Sequence, residues 1–104
     1  MLLLWDDWNV QHIAKHGVEP REAKEIVDRA SRPFPKAKGN GKYLVKGRTS
    51  LGRLLQVIYV YRDAGDVDFE RLELLERLEL LEVGRAIYVI HARELRHGET
   101  RQVR

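Results

Sequence analysis

The stretch that decides the fold is Leu54-Leu55-Gln56-Val57-Ile58-Tyr59-Val60-Tyr61, a long run of β-branched and aromatic residues. Such a run predicts a central strand of a sheet. Strand signals also occur before it, at residues 43–45, and after it, at residues 86–92, and a turn is predicted at residues 50–53. Residues 2–4 are a candidate for a short first strand. Together these strands predict a small antiparallel sheet.

Two helices are predicted before the sheet. The first runs from Asp7 to His16, with Asp6 as its N-cap and Gly17 just past its end. Its two faces differ, with Val10, Ile13 and Ala14 on one side and His12, Lys15 and His16 on the other. The second helix starts at Pro20 and carries an apolar stripe at helical spacing, formed by Ala23, Ile26, Val27 and Ala30.

Other parts of the chain carry weaker signals. Residues 32–41 are rich in proline, glycine and lysine and predict an open, basic loop. Residues 94–104 are polar and predict a helical tail. The expected class is therefore α+β, in a single domain spanning residues 1–104, with two N-terminal helices packed on the sheet.

An exact repeat lies between the last two predicted strands. Residues 71–76 have the sequence RLELLE, and residues 77–82 repeat it without change. Helical periodicity predicts an inserted Leu/Glu-rich helix within residues 63–86, starting near Asp66 or Asp68 and stopping at Gly84. Its expected apolar side is formed by Phe69, Leu72, Leu74, Leu75, Leu78 and Leu81. Such a side needs cover, either from the core or from self-association into a homo-oligomer through residues 66–84. The alternation of Leu and Glu also permits a strand.

Charge is distributed unevenly along the chain. Residues 66–82 hold seven acidic and two basic residues, whereas every charged residue between Lys36 and Arg62 is basic. The net charge of +3 therefore leaves about +8 outside the acidic segment. A basic field of this kind attracts nucleic acid, although a solvated surface without a ligand is the alternative. The absence of cysteine excludes disulfides, and the short apolar N-terminus predicts a cytoplasmic protein with no membrane span.

Three ordered segments together resemble the BrnT family of toxins. They are Trp5-Asp6-x-Trp8-Asn9-x-x-His12-Ile13-x-x-His16-Gly17-Val18, then Tyr43-Leu44-Val45-x-Gly47-Arg48-Thr49, then Ile90-His91-Ala92-Arg93-Glu94. The resemblance implies a RelE-like fold and a metal-independent endoribonuclease that inhibits translation, the toxin of a type II toxin–antitoxin system. It also implies a BrnA-like antitoxin with a ribbon-helix-helix domain, and binding to operator DNA only through the toxin–antitoxin complex. The chain departs from the family in its Leu/Glu repeat, in His91 where a small hydroxyl residue is usual, and in a tail without an aromatic residue.

Metal-independent RNA cleavage needs a base, an acid and cations beside the scissile phosphate. Histidine suits the proton transfers because its pKa lies near neutrality, and arginine suits the phosphate because its planar fork matches two oxygens. The expected catalytic residues are His12, His16, Arg48 and Arg93. The expected RNA-binding residues are Lys15, Lys46, Arg53 and His91, with His91 also a candidate second proton carrier. No metal and no other cofactor is expected, and an antitoxin is expected to cover the face of Arg48 and Arg93.

Each expected catalytic residue has a structural alternative. His16 next to Gly17 suits a helix C-terminus through the macrodipole, and His12 suits stacking on Trp8 or Trp5. Arg48 and Arg93 are candidates for ion pairs with Asp6 or Asp7. At the level of the whole chain, the alternatives are a catalytically silent nucleic-acid-binding module and a protein-interaction module that acts through the Leu/Glu insertion.

Overall fold

A five-stranded mixed sheet organises the computed structural model, which describes residues 1–101 and residue 103. The strands are β1 (Leu3–Leu4), β2 (Lys36–Gly39), β3 (Lys42–Arg48), β4 (Leu54–Asp63) and β5 (Arg85–Glu94), and the helices are α1 (Asp7–Ala14), α2 (Pro20–Asp28) and α3 (Leu74–Val83). The strands lie in the order β1-β5-β4-β3-β2. The α+β class and the central position of β4 are confirmed.

The sheet is mixed because its first strand runs parallel to its last. Leu3 pairs with Ile87 and Leu4 with Tyr88, whereas all other neighbours pair antiparallel. The prediction of a small antiparallel sheet was therefore wrong for β1. The short first strand takes the free edge of β5, where the carbonyl of Leu2 accepts the N–H of Ile87 at 2.8 Å.

Strand β2 lies inside the segment predicted to be an open loop, so that prediction was also wrong. It forms a hairpin with β3, in which Gly39 opposes Lys42. The two residues between them, Asn40 and Gly41, have φ angles of 54° and 73°. Positive φ at both central positions is typical of the tight turn that Asn-Gly favours, because its twist matches that of the flanking strands.

The two N-terminal helices are confirmed, with one corrected boundary. Asp6 is the N-cap of α1, and its side chain accepts the N–H of Asn9. The helix ends at Ala14 rather than at His16. His16 donates its N–H to the carbonyl of Ile13, three residues back, and Gly17 has φ +72°, so the chain leaves the helix through a tight turn.

The main core lies between α1, α2 and one face of the sheet. Ala23 and Ile26 of α2 are buried against strands β3 and β4, as the predicted stripe requires. The approach is close at Gly47, where a Cβ atom would lie 3.2 Å from Cδ1 of Ile26. The sheet residues of this core are Leu3, Val45, Leu55, Val57, Tyr59, Ile87, Val89 and Ala92.

The opposite side of the sheet is called here the far face. Side chains alternate between faces along a strand, and directly opposed residues share a face. The far face therefore carries Lys46, Gln56, Ile58, His91 and Arg93, with Gln56 opposed to both Lys46 and Arg93. A β-bulge shifts the alternation in β5, because Tyr59 opposes Val89 while Ile58 opposes His91, which leaves Ile90 as the extra residue.

The inserted helix is confirmed, but it starts later than predicted. Two short 3-10 helices, Ala64–Asp66 and Phe69–Arg71, precede α3, which ends at Gly84 as predicted. The late start follows from local capping, since the N–H of Glu73 donates to the side chain of Glu76 at 3.0 Å. The predicted helix included Phe69, whereas Phe69 lies in a separate 3-10 helix. The rotation of α3 about its own axis therefore differs from the predicted one.

The predicted apolar side of the insertion was wrong in consequence. Leu80 is the α3 residue that is buried, in a small cluster with Leu2 and Ala86, and Phe69 and Leu72 pack partly against this cluster. The remaining predicted leucines are exposed, namely Leu74, Leu75, Leu78 and Leu81.

The predicted helical tail was also wrong for the residues that the structure describes. Strand β5 continues to Glu94, and residues 95–101 form turns and irregular backbone. Residues 102 and 104 of this prediction lie outside the described part. Within residues 1–101 and 103, no helix is both long enough and apolar enough to cross a membrane.

The repeat offers a matched test of this packing, because Leu74 and Leu80 hold equivalent positions in its two copies. Leu80 has an exposed fraction of 0% and Leu74 one of 69%. We expect Leu80→Ala to lower the free energy of unfolding by about 2–5 kcal/mol, through lost burial and a cavity. Leu74→Ala should change it by less than about 0.5 kcal/mol. Urea denaturation measures both values, and similar losses would contradict the observed rotation of α3.

Candidate nucleic-acid interface

Three histidines from α1, the turn after it and β5 meet at the edge of the far face. His12 comes from α1, His16 from the turn after it, and His91 from β5. The ring centroids of His16 and His91 are 5.0 Å apart, those of His12 and His91 5.9 Å, and those of His12 and His16 6.3 Å. The structure thus brings together three residues that were predicted to act in RNA binding or cleavage.

Aromatic residues support one side of this histidine cluster. The indole of Trp8 stacks on the imidazole of His12, with centroids 4.7 Å apart and planes 8° from parallel. The ring centroid of Tyr88 lies 6.4 Å from that of Trp8. The guanidinium of Arg62 stacks on the Tyr88 ring, with its central carbon 4.3 Å from the ring centroid. The alternative that His12 stacks on Trp8 is confirmed, and the His12 ring also lies near the ring of His91.

Burial and neighbouring positive charge both act on His91. Burial lowers the pKa of the His91 imidazole below its ordinary value, and the charges of His16, His12 and Arg93 lower it further. His91 therefore favours its neutral form near pH 7, in which one ring nitrogen can accept a proton. The cluster combines a partly buried imidazole with His16, whose side chain is exposed.

Basic side chains continue from the cluster across the far face. Arg93 lies two residues beyond His91 on β5, and Lys46 lies two strands away in the same cross-strand row, about 10 Å distant by strand spacing. Arg48 follows Lys46 on β3 and is exposed. Lys46, Arg48 and Arg29 border one surface depression. We call the histidine cluster together with three of these cations the basic band (His12, His16, His91, Arg93, Lys46 and Arg48).

Two residues of the band, Arg93 and Lys46, already bond to Glu99. The carboxylate of Glu99 accepts hydrogen bonds from both terminal nitrogens of Arg93, at 2.8 and 2.7 Å, and the Glu99 carbonyl accepts one from Nζ of Lys46 at 3.2 Å. The suggested alternative of an ion pair between Arg93 and Asp6 or Asp7 is thus replaced by a pair with Glu99. Asp6 instead accepts the Tyr88 hydroxyl at 2.9 Å.

Two predicted site residues lie apart from these contacts. Arg53 donates to both carboxylate oxygens of Glu22, at 2.8 and 2.7 Å, and to the carbonyl of Gly17 at 3.1 Å, so it ties α2 to the start of β4. Lys15 is the C-cap of α1 and is exposed beside His16 in the chain.

Sequence reasoning missed Tyr88, Glu99 and the bulge at Ile90. Tyr88 lies inside a continuous apolar run of β5, and the sequence carries no signal of its hydrogen bond to Asp6. Glu99 lies in a segment of irregular backbone whose sequence has no periodic pattern. No group of three or more His, Asp or Glu residues in the described part of the chain is arranged to hold a metal ion, and cysteine does not occur.

No known family model, curated protein or solved structure matches this chain. The resemblance to BrnT toxins stays a prediction carried by the three segments quoted above, and the RelE-like fold stays one with it.

The coupling among the histidines can be measured directly. We expect His16→Ala to raise the pKa of His91 toward its ordinary value, because it removes a like charge and exposes the His91 ring. NMR titration of the imidazole protons measures this value, with Gln11→Ala, on an exposed position of α1, as the control. Because folding lowers the pKa of His91, its contribution to the stability of the fold is present at pH values above the unfolded-state pKa. This stability is lost as the pH falls through the folded-state pKa. An unchanged His91 titration would contradict the cluster.

Proposed function

We propose that this chain is a metal-independent endoribonuclease with a RelE-like fold, the toxin of a type II toxin–antitoxin system acting on RNA in the cytoplasm. The observation that carries the proposal is the meeting of three histidines beside the guanidinium of Arg93 on one face of the sheet. Proton carriers next to a phosphate-binding fork are what cleavage by the RNA 2′-hydroxyl requires. The resemblance to BrnT toxins supports the same reaction.

In this proposal His91 acts as the base and His16 as the acid. The neutral imidazole of His91 takes the proton of the 2′-hydroxyl while the 2′-oxygen forms a bond to phosphorus. His16 in its protonated form donates a proton to the 5′-oxygen as the bond between that oxygen and phosphorus breaks. The products are a 2′,3′-cyclic phosphate and a free 5′-hydroxyl. The depressed pKa of His91 suits it to the base role near neutral pH.

The remaining residues of the basic band would bind and stabilise charge. Arg93 stands next to His91 and would stabilise the negative charge that develops on the phosphate, with Arg48 as a second cation. His12, which Trp8 holds by stacking, would orient the other two imidazoles or substitute in a proton transfer. Lys15 and Lys46 would bind the phosphates on either side. The proposed set leaves Arg53 out, because Glu22 and Gly17 engage its guanidinium.

We further propose that a BrnA-like ribbon-helix-helix antitoxin covers the face of Arg48 and Arg93. Covering the cations that would bind the scissile phosphate is the simplest route to inhibition. Binding to operator DNA would then belong to the complex, through the antitoxin. The exposed leucines of α3 favour an additional contact between copies of the chain through residues 66–84.

The decisive experiment uses purified protein and a labelled single-stranded RNA in EDTA, beside the same oligonucleotide with 2′-deoxy sugars. We expect cleavage of the RNA alone. His91→Ala and His16→Ala should each lower the rate by about 10²- to 10⁴-fold, the usual contribution of one acid or base. The control Gln11→Ala changes an exposed side chain of α1, next to His12 in the chain, and should cleave like the unchanged protein.

The basic band also favours a second candidate function, a nucleic-acid-binding module without catalysis. It predicts oligonucleotide binding that weakens steeply with salt, and equal affinity for RNA and its 2′-deoxy analogue. Binding without cleavage between about pH 5 and 9, a range that spans histidine titration, would select this function and reject the ribonuclease.

A further inference from the structure

The chain folds back over the far face after its last strand. Beyond Glu94, the N–H of Leu95 donates to the carbonyl of Leu54 on β4 at 2.9 Å. Glu99 then reaches Arg93 on β5 with its side chain and Lys46 on β3 with its carbonyl. Residues 95–101, called here the tail segment, therefore cross three strands beside the basic band.

The tail segment holds a carboxylate where the proposed reaction needs a phosphate. Two oxygens of Glu99 face the two terminal nitrogens of Arg93, which is the geometry in which arginine binds two oxygens of a phosphate. Both groups keep their charge, since the Arg93 guanidinium and the N–H of Arg96 lower the pKa of Glu99 to about 2. Glu99 in turn raises the pKa of Arg93. The Glu99 carboxylate thus takes the place that the proposal gives to an RNA phosphate.

Little else fastens this segment to the sheet. Arg96, His97, Gly98, Thr100 and Arg101 are all exposed. The side chains of Arg93 and Glu99 keep 19% and 29% of their surface accessible. Segments with few buried apolar contacts open at low free-energy cost, so exchange of one anion for another need not disturb the core.

We propose that the tail segment is a displaceable cover, in which Glu99 occupies the binding site of an RNA phosphodiester, with its carboxylate on Arg93 and its carbonyl on Lys46, until the RNA displaces it. The inference rests on the proposed function, because it takes the ligand of this site to be RNA. The covered form cannot bind the phosphate at Arg93, so the apparent affinity is lowered by the fraction of molecules that are open. The tail segment would act as an internal competitor of the substrate.

The test compares oligonucleotide binding by the unchanged protein and by Glu99→Gln. The probe is a fluorescent single strand with 2′-deoxy sugars, which the proposed chemistry cannot cut, and the readout is anisotropy between about 50 and 200 mM salt. We expect Glu99→Gln to bind about three- to tenfold more tightly, since it weakens the competing contact. The slope of log affinity against log salt should steepen by about 1, because one more cation is free to release its counterions.

Two further variants isolate the contact from charge in general. Asp28→Asn removes one negative charge from an exposed ion pair with Lys24 on α2, and it should leave the affinity nearly unchanged. Adding Glu99→Gln to Arg93→Ala should give no gain over Arg93→Ala alone, if Glu99 acts through Arg93. Hydrogen exchange gives an independent measure in the unchanged protein, where the Glu99 N–H bonds to the Arg96 carbonyl. Its exchange should speed up when the oligonucleotide binds.

The outcomes separate the cover from the ribonuclease. Tighter binding by Glu99→Gln supports the cover, whether or not RNA is cleaved in the parallel assay. Equal or weaker binding by Glu99→Gln overturns the cover, and cleavage of RNA by the same preparation would leave the ribonuclease standing. A Glu99 amide that exchanges more slowly with oligonucleotide bound also overturns it. Absence of both binding and cleavage in every variant would reject the two proposals together.

Discussion

The carboxylate of Asp6 is the contact on which the arrangement of the site depends. It accepts the N–H of Asn9 and the hydroxyl of Tyr88, so one group both caps α1 and fixes it to β5. These hydrogen bonds lower the pKa of Asp6, the bond from Asn9 most of all. The amide of Asn9 adds a bond to the carbonyl of Leu4 at 2.9 Å. The start of α1 is thereby held against β1 and β5, so that His12 on the helix and His16 in the turn after it reach β5 at a fixed distance.

The bulge at Ile90 supplies the other half of the arrangement. Before it, Val89 faces the core, and after it Ala92 does so, although strict alternation would send residues 89 and 92 to opposite faces. The extra residue resets the alternation, and His91 and Arg93 consequently share the far face with Tyr88. A buried core and a polar band can then be built from one continuous strand, with no polar side chain forced into the core.

Sequence patterns predicted the parts of the fold that depend on local periodicity. The central strand, the N-cap at Asp6, the stripe on α2 and the stop at Gly84 all follow from residue spacing and backbone preference. The parallel pairing of β1 and the burial of Leu80 depend on contacts between distant segments, which spacing does not encode. In the site, helical spacing joined His12 to His16, but the approach of His91 needed tertiary structure. The pairing of Glu99 with Arg93 spans a segment with no periodic signal at all.

The two identical hexapeptides of the insertion adopt different secondary structure. The first copy contains the end of a 3-10 helix and the start of α3, while the second lies within α3 and supplies the buried leucine. Because the copies are chemically the same, sliding the segment by one unit would present Leu74 to the cluster that now holds Leu80. What distinguishes the two alignments is the boundary, where Gly84 at φ +85° leads directly into β5. The repeat alone would allow either leucine to be buried, and the direct connection from Gly84 to the strand selects Leu80.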